Sequence, residues 1–481
     1  MSTRKRNPGG RQGRGVVERV EIRGTLLLET PTHLGGEGEG LTDMPLLRDA
    51  RDGQTPLLTG TSIAGALRNY LHEYLEGYRQ LVAAREQASQ LFGEVEGKAS
   101  VQSWLLVDDA WGNGPGIELR DGVALDAKTR TAKEGEKFDM ELLQAGTRFD
   151  LSFELLLTAS NQDLPRLLAL ALRGLEGGEI SLGSRKRRGL GQCRVTQWRV
   201  RRYDLTTPRG LVAWLDEDAT GEERGEKIAP LLQVDLADLE DQRQVFTLDG
   251  VFELTSSLLI RSGSGAADDP DMVHLHSYRD GDEVPILSGA SLAGAVRART
   301  LRIANTLHGR ETGAKLANDI FGKRIEDSQD QPTGSRLVTR ETEVKGTTDL
   351  VHGRVKIDRF TGGAYPQALF SQQPVFGGNG SQVHIQLELR QPEDYEIGLL
   401  LLVLKDLWTG DLSLGGESSV GRGRLQGKRA TLTHRQGEKA KTTWKLAQRD
   451  HGGLEFGGDG MPEELENFVQ ALHRYEEGKD R

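Results

Sequence analysis

The chain has 481 residues, a net charge of −10, 61 glycines, 36% apolar residues and one cysteine. That length implies several domains of about 100–200 residues each. A lone thiol with scattered histidines excludes an internal disulfide or a Cys/His metal cluster, and fits a reducing, cytoplasmic compartment. The acidic balance excludes a protein that coats nucleic acid by bulk charge, so any such contact needs locally concentrated cations.

Residues 1–15 are basic and Gly-rich with no apolar centre, which predicts a flexible basic tail. A strand, "VERVEIRGTLLLE", follows. It leads through "HLGG" into a Pro-bearing acidic loop, "LTDMPLLRDARDGQTPLLTG". Asp49 and Asp52 there read as turn residues beside Gly53. Ile63, Ala66, Leu67, Tyr70, Leu71 and Tyr74 then keep the i, i+3, i+4, i+7 spacing of a helix with one buried face. The segment 118–146 predicts a hairpin whose tip, "KTRTAKEG", carries Lys128, Arg130 and Lys133. Period-two alternation of Phe149, Leu151, Phe153 and Leu155 predicts a strand. A helix, "LPRLLALALRGL", comes next. "SLGSRKRRGLG" then packs Arg185, Lys186, Arg187 and Arg188 between glycines, ahead of a last strand, "CRVTQWRVRRY".

The second half repeats the first. "LLTGTSIAGALRNYL" returns as "ILSGASLAGAVRART", at a spacing of 229 from Gly60 to Gly289. The spacing becomes 232 from Phe138 to Phe370, and stays so from Gly183, Gly189 and Gly191 to Gly415, Gly421 and Gly423. We therefore divide the chain into domains at 16–203 and 246–436. Residues 204–245 read as an acidic linker, and 437–481 as an extension holding one amphipathic helix. Each copy reads βαββαβ, so the fold class is α+β: two tandem ferredoxin-like, RRM-like domains, each with an inserted hairpin and a Gly-rich turn. The turn is not a phosphate-binding loop of the Walker type, because no G-x-x-x-x-G-K-[ST] occurs. The longest apolar run, "IGLLLLVL", is too short for a membrane span.

The leading strand with "HLGG", the acidic loop, the Gly-Thr-Ser helix start, the hairpin and the Gly-rich turn recur in the same order. Together they resemble the RAMP superfamily of CRISPR proteins, above all the backbone subunit of type III effector complexes, here as a fused double copy. The resemblance implies a subunit that stacks with other RAMP subunits along a guide CRISPR RNA. It also implies a hairpin thumb in each copy that kinks the guide–target duplex. Complementary target RNA is cut at each kink in a reaction needing a divalent metal ion, taken as Mg²⁺, and an acidic loop residue. Asp43 matches that residue, as catalytic group and metal ligand. Asp271 is its counterpart, with Asp268 and Asp269 close enough to leave the choice open. The helix starts suit a phosphate, which makes Ser62, Arg68, Ser291 and Arg297 guide-binding candidates. Phe360 and Tyr365 are candidate wedges against bases, whereas Phe138 and Phe370 read as hairpin packing. The Gly-rich turns bring Arg185, Lys186, Arg187, Arg188, Arg422 and Arg424 near RNA. Two alternatives stay open. One is a structural guide-binding subunit that does not cut; the other is an endoribonuclease that processes guide precursor, with His33 as the nearest base.

Overall fold

The computed structural model describes residues 15–36, 42–78, 85–96, 99–125, 129, 131–216, 221–262, 270–323, 333–378, 380–437 and 440–476. In the first copy these give β1 (Val16–Leu28), α1 (Gly60–Glu76), β2 (Leu105–Val107), β3 (Ala110–Asn113), β4 (Ile117–Leu125), β5 (Ala132–Leu143), β6 (Arg148–Thr158), α2 (Leu164–Glu176) and β7 (Cys193–Asp204). The sheet runs β7-β1-β6, and β6 then pairs with both β2 and β3, all antiparallel. Taking β2 and β3 as one broken strand, the order is 4-1-3-2 for a βαββαβ chain, as in ferredoxin-like domains. The alternation seen in the sequence buries Phe149, Leu151, Phe153 and Leu155, which meet Ile63, Leu67 and Leu71 of α1 and Leu168 and Leu172 of α2 in one core.

The second copy gives β8 (Gln244–Leu254), α3 (Gly289–His308), β9 (Leu337–Thr339), β10 (Thr342–Lys345), β11 (His352–Ile357), β12 (Ala364–Gln373), β13 (Gln382–Arg390), α4 (Asp394–Trp408) and β14 (Leu425–Gln436). Its sheet repeats the order as β14-β8-β13 with β9 and β10 on β13. In each copy an antiparallel hairpin is inserted between the second and third strands: β4 with β5, and β11 with β12.

Two boundaries differ from the sequence expectation. The acidic segment 204–245 is not a free linker in its second half. Glu223–Gly225 adds a strand beside β7, and Ile228, Leu231, Leu232 and Leu236 are buried in the first core. Four apolar side chains anchor the stretch, and two of its acids are tied in as well: Asp241 is buried against Arg243 and Arg435, and Glu222 pairs with Arg201 and Arg224. The second domain also runs past 436. β15 (Ala440–Gln448) pairs with β14 and β16 (Leu454–Gly458) pairs with β15. The predicted helix, α5 (Pro462–His473), packs on α4 with Leu472 fully buried.

The two copies meet at a polar junction. Glu341, just after β9, is enclosed and accepts hydrogen bonds from Arg120 of β4 at 2.5 and 3.0 Å and from Arg279 at 2.5 Å. Glu118 pairs with Arg120 at 2.7 Å and accepts from the Ser277 hydroxyl at 2.9 Å. Nearby, Arg390 reaches Glu73 of α1 at 3.5 Å.

Candidate nucleic-acid interface

The loop after β1 returns to the hairpin. The Asp43 backbone N–H donates to the Asp139 carboxylate at 2.6 Å, and the Asp139 N–H donates to the Asp43 carboxylate at 3.0 Å. Met44 then forms a parallel bridge to Met140 of β5. The second copy repeats the arrangement. The Asp271 N–H donates to the Ser371 hydroxyl at 3.0 Å, while the Ser371 N–H and hydroxyl donate to the Asp271 carboxylate at 2.7 and 3.1 Å. Met272 pairs in parallel with Gln372. The matching register makes Asp271 the structural counterpart of Asp43; Asp268 and Asp269 lie outside the described residues. Both aspartates are exposed at a hairpin base. Hydrogen bonds from the Ser371 backbone and then its hydroxyl hold the Asp271 carboxyl below its ordinary value. Sequence reasoning missed Asp139 and Ser371, although their spacing of 232 already paired them.

The Gly-rich turns close beside these hairpins. A Cβ on Gly191 (φ +77°) would lie 1.9 Å from the Leu182 carbonyl oxygen, and one on Gly423 (φ +73°) 1.8 Å from that of Leu414. Only glycine meets both demands. Arg185 and Glu417 occupy matching left-handed positions, φ 53° and 59°. The Arg185 guanidinium sits 4.4 Å above the Phe138 ring and 3.8 Å from the Met44 Sδ. Phe138 packs with Met140 and Leu142 of its hairpin, Met44 of the loop and Leu190 of the turn, and Phe370 is half-buried with the Arg354 guanidinium 5.9 Å from its ring.

Several basic residues have other duties. Arg422 is 6% exposed and donates to Glu417, Ser257 and Gln372, so the expectation that it faces RNA is corrected: its charge is matched inside the fold. Arg187 is half-buried against the second copy near Gly334, and the Thr339 hydroxyl donates to its carbonyl. The Arg188 carbonyl lies against Gly289, at the start of α3. The first turn therefore serves the junction through its backbone, leaving Lys186 and Arg188 as its exposed side chains. Arg297 donates to Asn318 at 2.9 Å and lies 6.0 Å from the Phe321 ring, folded back on its own domain. Arg68 is half-buried, and Arg424 is exposed.

α1 and α3 start at Gly60 and Gly289, and each is capped by the residue before. Thr59 accepts from the Ser62 N–H and Ser288 from the Ala290 N–H, so neither Ser62 nor Ser291 is the cap. Ser62 is exposed, its hydroxyl 2.9 Å from that of Thr59; Ser291 is half-buried. At the hairpin tips, Lys128 and Arg130 lie outside the described residues, and Lys133 pairs with Glu136 at 3.8 Å. Phe360 is 91% exposed, and Tyr365 carries the Lys356 ammonium 4.6 Å from its ring centre. His33 is buried, with Nδ1 3.0 Å from the Glu141 carbonyl oxygen, and is shut away from any substrate.

A family model for the RAMP superfamily matches residues 25–194 and 251–426, one match on each copy and together well over half of the chain. The chain belongs to the RAMP superfamily. No curated protein matches it. This RAMP protein is accordingly a CRISPR-associated RNA-binding subunit, with RNA and other CRISPR-associated subunits as partners. Among the described residues, no helix is long and apolar enough to cross a membrane, and no group of three or more His, Cys, Asp or Glu gathers as a ready metal cage.

Proposed function

We propose that this RAMP protein is a double backbone subunit of a type III CRISPR ribonucleoprotein, which binds guide RNA and cuts complementary target RNA beside Asp43 and Asp271. The observation that carries the reading is the repeated pairing of an exposed aspartate with the base of an inserted hairpin: Asp43 with Asp139, Asp271 with Ser371. Each hairpin acts as a thumb that splays the duplex, with Phe360 of the second stacking on a base. In each copy the splayed target strand then lies across the aspartate.

The donor set fits a divalent ion that RNA completes. Mg²⁺ is held by one or two carboxylates together with phosphate oxygens and water. Asp43 with Asp139 offers two carboxylates and Asp271 offers one. When bound, the ion supplies charge neutralisation at the reacting phosphate. The protein's own part is to fix the aspartate. One Asp43 oxygen is held by the Asp139 N–H; the carboxylate takes the proton of a ribose 2′-hydroxyl as that oxygen bonds in line to the adjacent phosphorus, and the P–O5′ bond breaks, the leaving 5′-oxygen taking a proton from water. The burial of His33 disfavours the guide-processing alternative.

The test is cleavage of complementary RNA by the purified complex with its guide, with and without EDTA. Asp43→Ala and Asp271→Ala should each remove one cut, by about 10²–10⁴-fold, and EDTA should remove both. All cuts surviving both substitutions would overturn the site assignment. A wild-type complex that binds target without cutting would leave the non-cleaving subunit.

A further inference from the structure

The duplication supplies an internal comparison. In the first copy, position 122 of the hairpin is glycine, and a Cβ there would lie 2.0 Å from the Phe138 ring. Arg185 of the Gly-rich turn lies 4.4 Å over the same ring. In the second copy the corresponding pair is Arg354 and Glu417. Arg354 now stands on the hairpin, 5.9 Å from the Phe370 ring, and donates to Glu417 at 2.9 Å. Each site thus keeps one guanidinium over the same hairpin ring, next to the residue pair that positions the aspartate. The arginine arrives from a different element, and only the second carries a built-in counter-charge.

The difference in compensation is large. Glu417 accepts from Arg354, Arg422 and Gln372. Gln372 also reaches the Met272 Sδ at 3.3 Å, so the network extends to the residue after Asp271. Arg185, by contrast, is half-buried, and among the described residues no carboxylate bonds to it; its contacts are the Phe138 ring and the Met44 sulfur, neither of which carries charge. A half-buried cation without a counter-ion favours an anionic ligand. We infer that the two candidate sites are unequal: Arg185 beside Asp43 binds an RNA phosphate directly, whereas the matching cation beside Asp271 is neutralised from within by Glu417. This rests on the reading that RNA lies along the hairpin bases, but not on cleavage.

The test is binding of a fluorescein-labelled 30-nucleotide single-stranded RNA to the full chain, followed by anisotropy across a KCl series. Each phosphate contact to a single strand contributes about 0.7 to the slope of log K against log [salt]. Arg185→Gln should lower affinity and flatten the slope by about 0.7. Arg185→Lys should restore the slope, which a purely packing role would not. Arg354→Gln should leave the slope unchanged, and Glu417→Gln should steepen it by releasing Arg354 and Arg422. Thermal melts of each variant separate loss of fold from loss of contact. Equal slope changes for Arg185→Gln and Arg354→Gln, no change for Arg185→Gln, or no salt-dependent binding by the parent chain would each overturn the inference. Because no cleavage is read, intact cuts in Asp43→Ala would defeat the proposed chemistry and leave this result standing.

Discussion

Glu341→Gln removes a charge that the whole junction is built around. The carboxylate is fully enclosed and holds Arg120, itself only 7% exposed, through two hydrogen bonds, with Arg279 on the same group. Breaking a buried pair by deleting one partner costs about 3–5 kcal/mol, since the surviving charge stays desolvated. At an m of about 3 kcal/mol/M, that lowers the urea midpoint of the affected transition by on the order of 1–2 M. Arg120→Met with Glu341→Met should recover part of the loss, because an apolar pair of similar volume replaces the buried ion pair at little cost, while Glu118 gives up Arg120 and keeps the Ser277 hydroxyl. Arg279 then keeps the Ser277 hydroxyl and the Tyr278 carbonyl, each at 2.7 Å. The pH dependence has a definite sign. Burial alone would raise the Glu341 carboxyl, but Arg120 and Arg279 outweigh it and hold it below its ordinary value. The stabilisation is therefore complete above the unfolded value, about 4.3 for a free glutamate, and is lost as pH falls through the lower folded value. Single substitutions costing under about 1 kcal/mol, or a double variant whose loss is the sum of the two singles, would refute the reasoning.

Two further outcomes are expected. His274 is fully buried; its Nδ1 accepts from the Ile260 N–H and its Nε2 faces the Ile286 carbonyl, so it folds neutral, with burial and then His276 pulling it down to about 3. Stability should fall as pH drops from about 6.5 towards that value. His274→Leu should flatten this limb in acid-unfolding curves while costing about 1–3 kcal/mol at neutral pH for the unpaired backbone groups; an unchanged acid limb would contradict the assignment. Phe360→Ala, at a 91% exposed tip, should leave the melting temperature unchanged yet weaken target-duplex binding by about 1–3 kcal/mol in a filter assay. Unchanged binding would remove the wedge.

Patterns in the sequence that depend on local periodicity or on the repeat carried over to the structure. Alternation along Phe149–Leu155 gave a core strand, and the spacing of 232 aligned the glycines that close both turns. Asp43 stood out through the resemblance, and Asp271 as its counterpart because the Asp-Met pair recurs in the second copy. What escaped was anything decided by contacts between copies. Glu118 and Arg120 alternate with Leu119 on β4, a pattern that reads as a strand with a solvated polar face; packing against the second copy buries that face and leaves Leu119 62% exposed. Arg422 misled for a different reason: its partners Glu417, Ser257 and Gln372 all lie in its own copy, and composition does not say which arginine already has its counter-ion inside the fold.

The junction also falls where the two copies differ. Register places Leu350 at the position of Glu118 and His352 at that of Arg120. Neither could form the ion pairs that Glu341 receives, so the internal junction is not reproducible by the second hairpin. Leu350 and Val351 are instead more than half exposed, at 54% and 55%. The two hairpin bases thus differ at these positions: the first sets a charged pair against its own chain, and the second leaves two apolar side chains open. On the proposed reading, in which subunits stack along a guide, such a difference would select neighbours, because a base that lacks Glu118 and Arg120 leaves a Glu341-type carboxylate without its partner, at the same cost of about 3–5 kcal/mol worked out for the buried pair. Leu350→Glu, at a 54% exposed position, should therefore leave the chain folded and weaken the contact that the second base makes in the assembled complex, read as loss of that neighbour on native mass spectrometry; retention of the full assembly would show that the charge pattern carries no ordering information.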